Sequence, residues 1–233
     1  MKEDNIRQNI AEIERILYYA YGEPKLENRK RLSVLDEMIL TILSQNTNDK
    51  NSMRAFERLK ECYPAIEDLY KAEPQRLSEA IKIGGLGNIK AEYILGLLKW
   101  LDETTGALDC EFICRKDTEE VINMFRPVKG IGVKTVAVSL AFACGRDIFP
   151  VDTHVFRVMK RLGALPDINS AEKAFYYLKD LIPEGKGISM HMNVIKHGRE
   201  ICDARRPLCD KCPLTEVCDY YQSLDIKPAK TAK

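Results

Sequence analysis

Four cysteines near the C-terminus, Cys202, Cys209, Cys212 and Cys218, set the tightest limit on how this chain can fold. They read C-x6-C-x2-C-x5-C within 17 residues, so the segment must coil if all four thiolates are to meet one metal centre. Met1–Tyr21 is charged throughout and does not read as an export signal. A reducing compartment is therefore expected, where clustered cysteines hold metal more often than they form disulfides. Cys62, Cys110, Cys114 and Cys144 are scattered and read as small apolar residues. Zinc ribbons usually carry two C-x2-C pairs, and here Cys209–Cys212 is the one such pair. Iron–sulfur clusters accept irregular gaps. Spacing alone leaves both metals open.

The remaining pattern is helical, without strand-like alternation. With 233 residues and 45% apolar side chains the chain can build a real core, and no apolar run is long enough to span a bilayer. Asp4 reads as the cap of a first helix with Ile6, Ile10, Ile13 and Leu17 on one stripe, ending before Gly22-Glu23-Pro24. A basic connector, Lys25–Arg31, leads to Ser33, the start of a near capping box for Val34–Ser44. Further helices are expected at Ser52–Cys62, Glu73–Ile81, Lys90–Thr104, Thr118–Phe125, Lys134–Cys144, Thr153–Leu162, Ala171–Leu181 and Met190–Cys202. The sum is an all-α chain of about ten helices with short loops.

Formal charge is only +1, but it is unevenly spread. Arg126–Arg161 holds seven Lys/Arg against Asp147 and Asp152, giving +5 in 36 residues and leaving −4 for the rest. Such a stretch either meets a polyanion or forms a solvated helix surface. Within it lies Val128-Lys129-Gly130-Ile131-Gly132-Val133-Lys134-Thr135. Glycines at 130 and 132 permit positive φ and close backbone approach. The amides opening the next helix form an anion site suited to a phosphate, although G-x-G before a helix can equally be an ordinary turn. Lys134, in the first turn, faces the positive end of the helix dipole. That position favours the neutral amine that nucleophilic attack needs, and a plain phosphate contact is the other reading. Asp152, in Val151-Asp152-Thr153-His154-Val155, reads as an N-cap. Sequence alone does not bring Asp152 to Lys134.

Taken in order, the Gly130–Thr135 hairpin, Val151–Val155, His197-Gly198-Arg199 and the four cysteines resemble the endonuclease III family, from about Ser33 to Tyr220. These are helix-hairpin-helix DNA glycosylases with a 4Fe-4S cluster. The resemblance implies a two-lobed all-α fold: a six-helix barrel at 33–146 and a cluster lobe made of 1–32 plus 147–221; by its composition the remainder, 222–233, reads as a disordered tail. It implies base excision repair. Lys134 would attack C1′ of an oxidised or ring-saturated pyrimidine nucleotide, form a Schiff base and cut by β-elimination, with Asp152 facing it across a cleft. Gln45 or Asn46 would fill the gap left by the flipped nucleotide, unless they only cap their helix. Leu86, in Gly84-Gly85-Leu86-Gly87-Asn88-Ile89-Lys90-Ala91, would wedge the base stack, unless it is a core leucine. Lys129, Gly130, Ile131 and Gly132 would hold a phosphate, as would Arg205, Arg206 and Lys211 between the cysteines. Cys202, Cys209, Cys212 and Cys218 would hold the cluster, which shapes that loop and takes no part in bond cleavage. The implied partner is duplex DNA with damaged bases or abasic sites, met by a cytoplasmic, nucleoid-associated monomer without membrane contact. The sequence departs from many relatives at Val128-Lys129, where they have Leu-Pro. Two other readings stay open: a glycosylase for alkylated purines or deaminated or mismatched bases, with or without lyase activity, and a non-enzymatic iron–sulfur DNA-binding or sensor protein.

Overall fold

The computed structural model describes residues 3–24 and 31–224, and every regular element among them is helical. Twelve α-helices run in order: α1 Glu3–Tyr21, α2 Val34–Leu43, α3 Asp49–Cys62, α4 Ile66–Tyr70, α5 Pro74–Ile81, α6 Gly87–Thr105, α7 Thr118–Phe125, α8 Val133–Phe142, α9 Thr153–Arg161, α10 Ala171–Leu178, α11 Gly187–Glu200 and α12 Asp219–Ser223. Short 3-10 turns lie at Lys82–Gly84, Glu111–Arg115, Cys209–Lys211 and Thr215–Val217. Side-chain caps start many helices. Ser33 Oγ accepts from the Asp36 amide, Asn48 Oδ1 from Asn51 and Ser170 Oγ from Lys173, each satisfying an amide that has no helical partner.

Several expectations need correction. Asp4 lies inside α1 and does not cap it. α6 begins three residues before the expected Lys90, and α4, the 3-10 turns and α12 have too little periodicity to be seen in sequence. The expected tail begins too early. Gln222 and Ser223 belong to α12, held by Gln222 N–H to Cys218 O and by the Gln222 side chain to Glu216 O. The rest of that tail, 225–233, and the connector 25–30 lie outside the described residues.

The chain forms two compact units: Lys30–Ile148, and the two flanking stretches Met1–Arg29 with Phe149–Lys233. In the continuous unit α2 is the central helix, buried along nearly its whole length and packed on α3, α6 and α8. In the flanking unit the α1 stripe of Ile6, Ile10, Ile13 and Leu17 is fully buried where α1 meets α11. α9 also packs on α11, and Gly198 is small there because a Cβ would come within 3.2 Å of Val158.

The basic stretch is spent largely on the fold. Arg146 donates to the carbonyls of Ile113, Cys114 and Lys116, Arg157 to those of Gly198 and Cys202, and Lys160 to that of Ile168. Two of the scattered cysteines are also not simple apolar fillers. Cys114 and Cys144 form a disulfide, because the turn before α7 and the end of α8 lie side by side with Cα atoms 5.2 Å apart. Pairing across 30 residues has no local sequence signature. Cys62 is exposed, and Cys110 alone is the buried apolar residue expected. Replacing Cys114 and Cys144 by Ser is expected to lower the stability of the continuous unit by about 3 kcal/mol, the usual value for a loop of this order. Urea unfolding followed by circular dichroism checks this.

Candidate active site and metal centre

α7 and α8 are joined by a hairpin, Arg126–Gly132. Its turns are closed by Val128 N–H to Phe125 O (2.9 Å) and Ile131 N–H to Val128 O (3.1 Å). Val128 and Ile131 are buried and anchor it. Gly130 has φ of +85°, and a Cβ there would stand 2.3 Å from the Tyr93 ring of α6. Glycine is thus required twice, for conformation and for space. The Gly130 carbonyl accepts from the Gln45 side-chain amide at 3.0 Å, so Gln45 braces the hairpin. Gly132 is the exposed N-cap of α8 and supplies no side-chain hydrogen bond to the first amides of α8, which belong to half-buried Val133 and Lys134 and buried Thr135. Half-buried Lys134 is the second residue of that helix. Lys129 is exposed and pairs with Glu92 at 2.8 Å, a surface contact weak enough to be exchanged for another anion.

Two loops of the same unit carry the other candidates. After α2, Asn46 is exposed with φ of 52°. Before α6, Leu86 is 48% exposed with φ of 51°, flanked by exposed Ile83 and Ile89. It is therefore no core leucine. A left-handed backbone costs an ordinary L residue about 1–2 kcal/mol, so something must hold these loops in place.

In the flanking unit Asp152 caps α9, its Oδ1 accepting from the Val155 amide at 2.8 Å. The cap uses one oxygen, and a carboxylate has two. The segment leading to it is fixed by His191, whose Nδ1 is 2.8 Å from Pro150 O and whose ring stands edge-on to Phe149.

Cys202, Cys209, Cys212 and Cys218 line one pocket together with Arg161, His197 and Tyr220. Among the described residues no three Cys, His, Asp or Glu side chains converge as a single metal ion requires. Burial pushes the Cys209, Cys212 and Cys218 thiols up, Cys212 to about 11, and neighbouring cysteines add to the effect. A positive centre in the pocket would reverse this and ionise them. Hydrogen-bond donors already point at the sulfurs. The Arg161 guanidinium reaches Cys202 Sγ at 3.2 Å and the Tyr221 amide reaches Cys218 Sγ at 3.5 Å. Burial lowers His197 to about 4, so its ring is neutral near pH 7. Tyr21 Oη lies 3.0 Å from His197 Nδ1, and His197 Nε2 lies 3.5 Å from Cys212 Sγ; in the tautomer protonated at Nε2 the ring donates to that sulfur. These fit thiolate or sulfide acceptors, which metal binding would create.

Arg161 also donates to the carbonyls of Asp203 and Ala204 and lies over the Tyr220 ring at 4.8 Å, fastening the cysteine loop to α9. Arg205, Arg206 and Lys211 are exposed on that loop. Asp203 Oδ1 accepts the Arg205 and Arg206 amides, which turn the chain there. Sequence reasoning missed Tyr21, Arg161 and Tyr93. Arg157 and Arg161 stand four apart on α9 and so share a face, the one cue that was available.

Residues 39–184 match the family model described as HhH-GPD superfamily base excision DNA repair protein. An endonuclease III of Sulfolobus acidocaldarius is 34% identical over 196 residues, 82% of this chain and 84% of the relative. A putative DNA glycosylase of Arabidopsis thaliana is also 34% identical, over 83% of this chain and 69% of the relative. Among solved structures, endonuclease III in a non-covalent DNA complex superposes with a TM-score of 0.76 at 26% identity, covering 95% of this chain and 97% of the other.

Gly130→Ala is expected to destabilise the continuous unit by about 2–3 kcal/mol, through both the positive φ and the Tyr93 clash. Gly132→Ala, with no neighbour within 4 Å and an extended backbone, should cost well under half of that. Denaturation curves of the two variants check the difference.

Proposed function

The chain belongs to the HhH-GPD superfamily of base excision DNA repair proteins and is a DNA glycosylase, and we propose that it is bifunctional: it excises oxidised or ring-saturated pyrimidines from duplex DNA and cuts the resulting abasic site. The observation that carries this is Lys134, a half-buried lysine in the first turn of a helix without a side-chain cap, directly after the Arg126–Gly132 hairpin. The open α8 amides bind a backbone phosphate, and the hairpin thereby sets the distance from lysine to sugar.

Lys134 Nζ attacks C1′ as the bond from C1′ to the damaged base breaks. Loss of a proton from nitrogen and opening of the sugar give the Schiff base. Removal of a C2′ proton then expels the 3′ phosphate by β-elimination. Asp152 accepts the amine's proton and stabilises positive charge on the sugar through the oxygen its cap leaves unused. Extrusion of the base precedes all of this, since C1′ is shielded within the stack. Leu86 enters as the wedge. Asn46 fills the gap, while Gln45 holds the hairpin. Arg205, Arg206 and Lys211 meet phosphates from the cysteine loop, and Lys129 exchanges Glu92 for one.

Cys202, Cys209, Cys212 and Cys218 are the residues that would hold a 4Fe-4S cluster. Four cysteines on one pocket, with Arg161 and Tyr221 donating to two of their sulfurs, support a metal group there, and the irregular C-x6-C-x2-C-x5-C spacing within this family supports a cluster over a single zinc ion. When bound, it supplies a cross-link that shapes the loop. The four cysteines bring the chain of the loop together, and Arg161 ties that loop to the helix Asp152 caps.

Borohydride trapping on duplexes carrying dihydrothymine, uracil opposite guanine, hypoxanthine or a methylated purine tests this reading. A covalent adduct on dihydrothymine is expected, and Lys134→Ala should abolish it while keeping DNA affinity within about threefold. Base release without an adduct would assign attack to water and overturn the lysine mechanism. Anaerobically purified protein should contain iron and acid-labile sulfide, and Cys212→Ser should lower both; zinc in their place would reject the cluster.

A further inference from the structure

Lys90 is 1% exposed, in the first turn of α6. A buried ammonium needs hydrogen-bond acceptors, and its Nζ donates to Leu43 O at 2.7 Å and Gly84 O at 2.8 Å. Leu43 is the last residue of α2, and Gly84 closes the 3-10 turn before α6, so both carbonyls lack a helical partner. Each carbonyl is the root of a strained loop: Asn46 follows Leu43 by three residues, and Leu86 follows Gly84 by two. Space at Gly84 is closed, since a Cβ there would lie 3.2 Å from Ala55 Cβ and 3.8 Å from Lys90 Nζ. An apolar side chain would fill this part of the core more cheaply than a lysine. What the ammonium adds is one fixed point shared by two loops that are otherwise 40 residues apart in sequence.

We propose that Lys90 is a positioning residue that yokes the Asn46 loop to the Leu86 loop, so that gap-filling and wedging act as one rigid pair. The inference rests on the roles given to those loops above. Holding both loops before DNA arrives removes the ordering cost that independent loops would meet during extrusion.

Lys90→Met keeps the stem volume and removes the donor. In the free protein, amide hydrogen exchange at Ser44, Gln45 and Gly85, all hydrogen-bonded, should speed up together by tenfold or more, while Leu98 in mid α6 stays unchanged. Single-turnover excision from a dihydrothymine duplex should fall at least tenfold. Cutting of a single-stranded abasic site, which needs no extrusion, should change less than twofold. Loosening of one loop alone, or equal losses on both substrates, would overturn the yoke. Should wild-type protein cut no abasic strand, the proposed lyase fails, and the exchange experiment still decides the yoke. Lys90→Gln, which keeps two N–H donors on a shorter neutral stem, should fall between Met and Lys in every reading. Global unfolding of both variants would also overturn the proposal, because it assigns Lys90 to the loops and not to the fold.

Discussion

In an all-helical molecule the last carbonyls of each helix have no partner within it, and here long cationic side chains supply the missing donors. Lys90 closes the end of α2, Arg31 reaches Ala143 O after α8, and Arg146 covers the turn before α7. In the flanking unit Arg157 serves the end of α11 and Arg161 the loop that follows it. Loops that would otherwise need their own hydrogen-bonded turns are held from outside by a charge. They can therefore keep exposed tips in unfavourable conformations, as Asn46 and Leu86 do.

The same logic shapes the hairpin. It carries no side-chain cap, its middle glycine lies against Tyr93, and its carbonyl is held by Gln45 from a distant loop. Rigidity comes from packing and from one borrowed amide, which leaves the α8 amides uncommitted. The cysteine loop is handled in a similar way. Arg161 and Arg157 fix its backbone, and His197 reaches it from α11 while Tyr21 of α1 holds the other ring nitrogen.

Sequence reading reached features whose cause is local. Thr118–Phe125, the Ser33 cap, the Asp152 cap and the α1 stripe follow from spacing and from one side chain acting on its own backbone. It failed where the cause lies far along the chain. Lys90 looks like any solvated lysine, because nothing near it announces that Leu43 O lies above it. Arg146, Arg157 and Lys160 read as a charged surface and are instead donors to carbonyls. The Cys114–Cys144 bond depends on two helix ends meeting. In the candidate site Lys134 and Asp152 could be picked out by residue type and position, and the contacts that brace their surroundings could not.

One unit is continuous and the other is assembled from both ends of the chain, and this sets an order of events during synthesis. The apolar stripe of α1 leaves the ribosome well before α11, against which it is buried and which follows only after about 165 further residues. At roughly 5–20 residues per second the gap is on the order of 10–30 seconds. Within it Lys30–Ile148 can emerge whole and fold as an insertion between two halves that have not yet met. Until α11 arrives, the α1 stripe has not met the helix that buries it.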